Sequence, residues 1–246
     1  MIASLSMYAR PETSDAINRF WALIRANLIA TGIDAPETLA QDEDYMTVWT
    51  DPDLVLSQTC GMPFRKFLHG KVNMVVTPDP GLENCPPGYY RSSFVVRKDD
   101  PRTSLAEFKD ERFAYNEENS QSGFAAPFNH AKAQGFAFSN LVQSGGHAIS
   151  AKMVAEGDAD VAAIDGLTWK FVQRYDSFAA NLRVLEWTDP ATPCLPLITS
   201  LNNDSETVHA AVAKALDALS DADRETLSLK GLVRIPEEDY LAVSNP

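Results

Sequence analysis

Asn116-Glu117-Glu118-Asn119-Ser120-Gln121-Ser122-Gly123 follows a short apolar run, Phe113-Ala114-Tyr115, and precedes a helix-like segment over residues 124–134. A strand that breaks into hydroxyl, amide and glycine residues and then enters a helix can form an anion cradle. The first backbone N–H groups of a helix lack intrahelical partners, and the helix dipole places partial positive charge there. Ser120 and Ser122 can add hydroxyl donors, while Gly123 lets a bound group come close to the backbone. The same residues also suit a plain N-cap, a role Ser fills well. The rest of the chain has to decide between the two readings.

Working outward from this stretch, short β-rich runs alternate with helical runs, the pattern of an α/β protein. On the N-terminal side, residues 2–5 read as a first strand. Residues 15–29 form a helix with Ile17, Phe20, Trp21, Ile24 and Leu28 at helical spacing, and Gly32 is its stop. Strands are expected at 54–56, 72–76 and 89–97, with a helix near 63–68. A second series runs from a strand at 112–115 through the helix at 124–134, where Pro127 removes one backbone bond. It continues with a strand at 141–142, a helix at 149–156 closed by Gly157, a strand at 161–164 and a helix at 167–174. Strands at 182–185 and 195–199 and helices at 205–219 and 222–229 complete the chain.

Breaks near 79–88 and 188–196, rich in Pro and Gly, divide this into 1–88, 89–187 and 188–246: a first lobe, an inserted second lobe and a return to the first. Two crossings between lobes imply a hinge and a cleft that closes around a ligand.

Composition narrows the partners. With 246 residues, 45% hydrophobic and 22% charged, the chain can bury a substantial core. The formal net charge of −13, with no dense Lys/Arg cluster, argues against nucleic acid. It does not argue against a small anion held by backbone N–H groups. No apolar run reaches the roughly 18 residues needed to cross a bilayer, so no direct membrane insertion is expected. Met1-Ile2-Ala3-Ser4-Leu5 enters structure at once, without a basic region, apolar core and cleavage site. The expectation is a cytoplasmic protein if the sequence is complete, and a periplasmic one if a leader has been removed. Cys60, Cys85 and Cys194 cannot all pair; free thiols are the default, with a Cys60–Cys85 bridge the alternative in an oxidising compartment. The His and Cys spacings give no metal site, and no nucleotide-binding glycine motif or cofactor is expected.

Ligands in open α/β sheets bind beyond the carboxyl ends of the strands. In the first lobe those tips are Ser6-Met7-Tyr8, Ser57-Gln58-Thr59-Cys60-Gly61 and Thr77-Pro78-Asp79. In the second they are Asn119 to Gly123, Ser144-Gly145-Gly146-His147 and Asp165-Gly166-Leu167-Thr168-Trp169. Nearly every tip carries hydroxyls, amides or glycine, as a site that must desolvate a small polar solute requires.

Asn119-Ser120-Gln121-Ser122-Gly123 resembles the Asn-Ser-x-Ser-Gly anion loop of the phosphate/phosphonate-binding solute receptors of ABC transporters. Gly146-His147, the helical run to Gly157 and Asp158-Ala159-Asp160-Val161-Ala162-Ala163 resemble that family's next βα unit. Tyr8, and Tyr89-Tyr90-Arg91-Ser92 at the lobe crossing, lie where such receptors place aromatic contacts. The resemblance covers most of residues 1–200 and implies a type 2 periplasmic-binding-protein fold, two α/β lobes each with a mixed sheet flanked by helices. It also implies a non-catalytic receptor for a small oxyanion, most often phosphate or a phosphonate, serving an ABC permease or a sensor. Gln121 departs from the family, which usually carries a hydroxyl residue there.

On this reading Ser120, Gln121, Ser122 and Gly123 hold the anion, Tyr8, Thr59 and Tyr90 close over it, and His147 and Asp165 read its substituent. Tyr8 and Tyr90 read equally as core aromatics. His147, opening a helix, suits a neutral imidazole donating one N–H or a residue that orients others. Asp165 suits a ligand ammonium or the N-cap of the helix that follows. Glu117 and Glu118 are solvated loop charges or further contacts for a cation. His69, His130 and His209 fall in helical runs as surface or packing residues. The enzymatic alternative is a small-metabolite enzyme on the same scaffold, using Cys60 at a helix N-terminus or the His147/Asp165 pair. An inert buried thiol is the simpler account of Cys60.

Overall fold

The computed structural model describes residues 1–246. They form two compact units, one of Met1–Glu83 with Pro193–Tyr240 and one of Asn84–Thr192 with Leu241–Pro246.

The first unit opens with β1 (Ile2–Ser4), α1 (Ser14–Ala30), α2 (Tyr45–Trp49), β2 (Leu54–Gln58), α3 (Gly61–Pro63) and β3 (Val72–Asp79). A π-helical turn, Phe64–Leu68, extends α3. The second unit comprises β4 (Tyr89–Tyr90), β5 (Ser92–Arg97), β6 (Arg112–Tyr115), α4 (Ala126–Ala133), β7 (Asn140–Gln143), α5 (His147–Glu156), β8 (Val161–Asp165), α6 (Gly166–Tyr175) and β9 (Leu182–Trp187). After β10 (Thr192–Pro193) the first unit resumes with β11 (Leu197–Ser200), α7 (Ser205–Ala218), α8 (Asp221–Leu227), β12 (Gly231–Val233) and α9 (Glu237–Leu241).

The first sheet has the order β1-β2-β11-β3-β12, with β1 parallel to β2 and the remaining pairs antiparallel. The helical spacing of Ile17, Phe20, Trp21, Ile24 and Leu28 puts all five on one face of α1. There they meet Val208, Ala211, Val212 and Ala215 of α7 and Leu56 and Val75 of the sheet. Gly32, at φ 87°, ends α1: its N–H donates to the Ile29 carbonyl, and the Ile33 N–H to the Leu28 carbonyl.

The second sheet, β7-β6-β8-β5-β9, is parallel at β7, β6 and β8 and antiparallel where β5 meets β8 and β9. Its inner strands β5, β6 and β8 are buried on both faces, and side-chain alternation sorts them. Phe94, Val96, Phe113, Val161 and Ala163 face an aromatic layer that includes Phe108, Phe124, Phe128 and Phe138. Phe113 stacks on Phe138 with ring centres 4.2 Å apart, and Phe124 on Phe128 at 4.3 Å. On the other face Val95, Ala114, Ala162 and Ile164 pack on Ala151 and Val154 of α5 and on Trp169 and Val172 of α6.

Two expected elements have different bounds. The strand expected over 89–97 is interrupted at Arg91, because the Ser92 N–H donates to Thr188 Oγ1 at 2.9 Å and the β5–β8 ladder starts at Ser92. The helix expected from residue 124 starts at Gln121 through a π-helical turn, Gln121–Ala125, and Pro127 falls directly after it, near the start of α4. No disulfide joins Cys60 and Cys85, the alternative reading of their sequence.

Candidate functional site

The carboxyl ends of β6, β7 and β8 lie side by side, so the three turns that follow them meet at one edge of the second sheet. The first turn begins at Asn116, directly after β6. Ser120 caps the helix: its Oγ accepts the Gly123 N–H at 3.0 Å. The Ser120 carbonyl accepts from Ala125 N–H at 2.9 Å, five residues on rather than four. This wider closure releases the Phe124 N–H from the helical ladder, so the mouth of the turn carries one more uncommitted donor than an α-helical start would. Ser120, Gln121 and Ser122 are all buried, and Ser120 Oγ stands 3.4 Å from Ser122 Oγ. Capping and a convergence of hydroxyls therefore coexist here.

Gly123 is required by its neighbours rather than by its torsion angles. A Cβ at this position would lie 2.0 Å from Asn116 Oδ1 and 3.0 Å from His147 Cε1. Asn116 is itself buried, and its Oδ1 accepts no hydrogen bond within the protein.

The second turn is held by Ser144. Its Oγ donates to the Tyr115 carbonyl at 3.1 Å and lies 2.6 Å from Ser150 Oγ, while Gly145, at φ 86°, donates its N–H to the Asn116 carbonyl at 2.9 Å. These bonds tie the β7 turn to the β6 turn and aim His147, the first residue of α5, back at the Ser-rich loop. His147 Nε2 lies 2.7 Å from Ser122 Oγ, and Nδ1 accepts the Asp165 backbone N–H at 3.4 Å. Loss of hydration pushes the imidazole pKa down to about 4, against a smaller opposing pull from the Ala163 carbonyl. The ring is neutral at pH 7.

The third turn starts at Asp165, whose carboxylate accepts the Leu167 N–H at 2.9 Å and the Thr168 N–H at 3.0 Å. It caps α6 while its own N–H serves His147. Ser92 stands opposite Asp165 in the β5–β8 register, and its buried Oγ has no protein partner.

Of the residues singled out from the sequence, the structure thus brings together Ser120, Gln121, Ser122, Gly123, His147 and Asp165. Tyr90 is buried in β4 of the same unit. Tyr8 and Thr59 belong to the first unit. Tyr8 ends a 3-10 turn after β1 and its carbonyl accepts from Thr13 Oγ1 at 3.3 Å; Thr59 is fully buried after β2 and donates its N–H to the Pro196 carbonyl at 3.0 Å. Cys60, also buried, precedes α3. His130 is a packing residue, its Nδ1 accepting the Asp189 N–H at 3.0 Å and its Nε2 2.6 Å from Glu186 Oε1. Sequence reasoning placed Asn116 and Ser144 in the polar segments beyond strand ends but gave neither a role of its own. Their signal was position alone, each being the first polar residue beyond a strand end.

Solved structures share this fold along nearly the whole chain. PhnD1 from Prochlorococcus marinus (MIT 9301), in complex with methylphosphonate, superposes with a TM-score of 0.72 at 15% identity, covering 97% of this chain and 93% of that one. PA3383 from Pseudomonas aeruginosa, a binding protein component of an ABC phosphonate transporter, gives 0.66 at 18% identity, with 97% and 82% covered. The VFT2 domain of BvgS from Bordetella pertussis gives 0.57 at 16% identity, with 92% and 91% covered. No curated protein matches the chain. The family model for the periplasmic phosphonate substrate-binding protein of ABC transporters matches residues 59–240, from the end of β2 through α9 and across all three turns of the site. The chain belongs to that family of phosphonate solute receptors.

Proposed function

We propose that this receptor binds a small oxyanion, phosphate or a phosphonate, on the turn that opens the helix at Gln121–Ala133, and delivers it to an ABC permease from the periplasm. The observation that carries the reading is the pair of buried hydroxyls, Ser120 and Ser122, 3.4 Å apart at a helix start whose π-turn frees an additional N–H. Hydroxyl and backbone donors concentrated at the positive end of a helix match the acceptor-only oxygens of a phosphonate group. The family is one of substrate-binding components rather than of enzymes, and one structural relative, PhnD1, holds methylphosphonate. Gln121 and Gly123 complete the anion turn. His147 and Asp165 act on it through Ser122, and Tyr90 contributes an aromatic contact. Tyr8 is assigned a part in binding on the family resemblance and Thr59 on its place at a strand tip, and Tyr8→Phe and Thr59→Val test it.

The test is titration calorimetry with methylphosphonate and inorganic phosphate on wild type and on the Ser120→Ala/Ser122→Ala double variant. Hydrogen bonds to a charged group contribute about 1.5–3 kcal/mol each, so affinity should fall at least about a hundredfold. Unchanged affinity in a variant that only melts earlier would reduce the two serines to helix caps and remove the assignment.

A further inference from the structure

The hydrogen bonds around His147 have a direction. A backbone N–H can only donate, so the Asp165 N–H on Nδ1 requires that nitrogen to present its lone pair. In a neutral imidazole the single proton then sits on Nε2, where Ser122 Oγ, 2.7 Å away, must accept it. Ser122 receives a proton from behind and has its own hydroxyl proton left to give. Ser120 is in the same condition, since its Oγ accepts the Gly123 N–H at 3.0 Å.

From this geometry we infer that His147 is a positioning residue that donates to one lone pair of Ser122 and so leaves the Ser122 hydroxyl proton free to be given to a ligand oxygen. The inference rests on the anion site proposed above and deepens it. The turn then favours a ligand oxygen that can accept a hydrogen bond. The polarity is set at the Asp165 amide, which cannot reverse, and reaches Ser122 through the imidazole. The competing arrangement places the proton on Nδ1, facing the Ala163 carbonyl, and turns the Ser122 proton inward onto Nε2. In that arrangement Ser122 presents lone pairs and the site loses a donor.

The two tautomers are distinguished on ligand-free protein by long-range proton–nitrogen NMR of 15N-histidine-labelled material at pH 7, the His147 signals being identified by their loss in His147→Gln. The expected spectrum is a neutral ring protonated at Nε2. A ring protonated at Nδ1, or an imidazolium, overturns the inference. Binding of methylphosphonate then tests the consequence. Gln can place an amide N–H where Nε2–H stands, whereas Asn is too short to reach it. His147→Gln should stay within about threefold of wild type and His147→Asn should lose about tenfold, the effect of one hydrogen bond. Melting curves confirm that both variants are folded. Equal affinities for the two variants, whether reduced or intact, overturn the inference. If His147→Asn keeps wild-type affinity while Ser120→Ala/Ser122→Ala loses it, the anion site stands and the relay falls. If the double serine variant keeps full affinity, the site assignment falls, and the tautomer still decides the direction of the hydrogen bonds.

Discussion

Gly123 and His147 constrain one another at the scale of single residues. Asn116 Oδ1 occupies the space that a Cβ on residue 123 would need, at 2.0 Å. The Asn side chain is buried and cannot swing into water, so Gly123→Ala must displace it or the turn, at a cost of about 1–3 kcal/mol. Asn116→Ala vacates that space. The Asn116→Ala/Gly123→Ala pair should therefore be more stable than the sum of the single changes predicts, a coupling readable by urea unfolding of all four proteins. His147 makes a different prediction. Its pKa falls from 6.5 in the unfolded chain to about 4 in the folded one. Between those values the unfolded state binds more protons, so acidification favours unfolding. The contribution is complete above pH 6.5, is lost as pH falls toward 4, and amounts to about 3 kcal/mol at most. Relative to His147→Gln, wild type should lose about 2 kcal/mol between pH 7 and pH 5; parallel stability curves would show that the ring is not held neutral by burial.

At the scale of elements, the second sheet keeps its polar chemistry at its two ends. One end carries the Ser-rich turn, His147 and Asp165. At the other, Asp160 immediately before β8 bonds Arg97 at the end of β5 and Arg112 at the start of β6, both at 3.0 Å. Burial works to raise the Asp160 pKa, and its bonds to Arg112 and Arg97 outweigh that and hold the carboxyl below the usual range. Asp160→Asn keeps the shape and removes the charge. Stability should fall by about 2–3 kcal/mol at neutral pH, a hydrogen bond to a charged group being worth about 1.5–3. Ligand affinity should be unchanged, because this cluster lies at the end of β8 away from Asp165. A large loss of affinity in a folded Asp160→Asn protein would contradict that separation.

For the whole molecule, a net charge of −13 means that an anionic ligand approaches against the long-range field. Binding must then come from short-range donors, which on the proposed reading are the buried hydroxyls and N–H groups of the turn. Ligand binding to the native state alone raises stability by about 2.7 kcal/mol at a hundred times the dissociation constant. For a chain of this size that corresponds to a rise in Tm of about 5–10 °C. Methylphosphonate or phosphate should produce it in a thermal melt, and an uncharged analogue of the same size should not. No rise with either anion would contradict the oxyanion reading at the level of the whole protein.

What the sequence determined by itself is what local pattern carries. The five-residue apolar stripe of α1, the Arg112–Tyr115 strand with the polar turn after it, and the Gly157 stop of α5 were legible because periodicity and glycine placement act within a few residues. The family resemblance was legible in the Asn-Ser-x-Ser-Gly turn, which the family match now includes. Short elements were less legible. α2, β12 and α9 hold three to five residues each and show no full period, and only tertiary burial of Trp49 and Tyr240 explains two of them. The turn at Leu105–Phe108 did carry a signal, the Ser104/Glu107 capping box. The roles within the site were decided only by the tertiary structure. Sequence already offers the N-cap of α6 as one role for Asp165, two and three residues from the amides it accepts, but leaves His147 between a ligand contact and an orienting residue. The fold spends the Asp165 carboxylate on capping α6 and both ring nitrogens of His147 on Ser122 and the Asp165 amide. The physical reason is that a hydrogen bond depends on distance and direction between groups 18 to 25 positions apart in the chain. Those distances exist only once β6, β7 and β8 have paired.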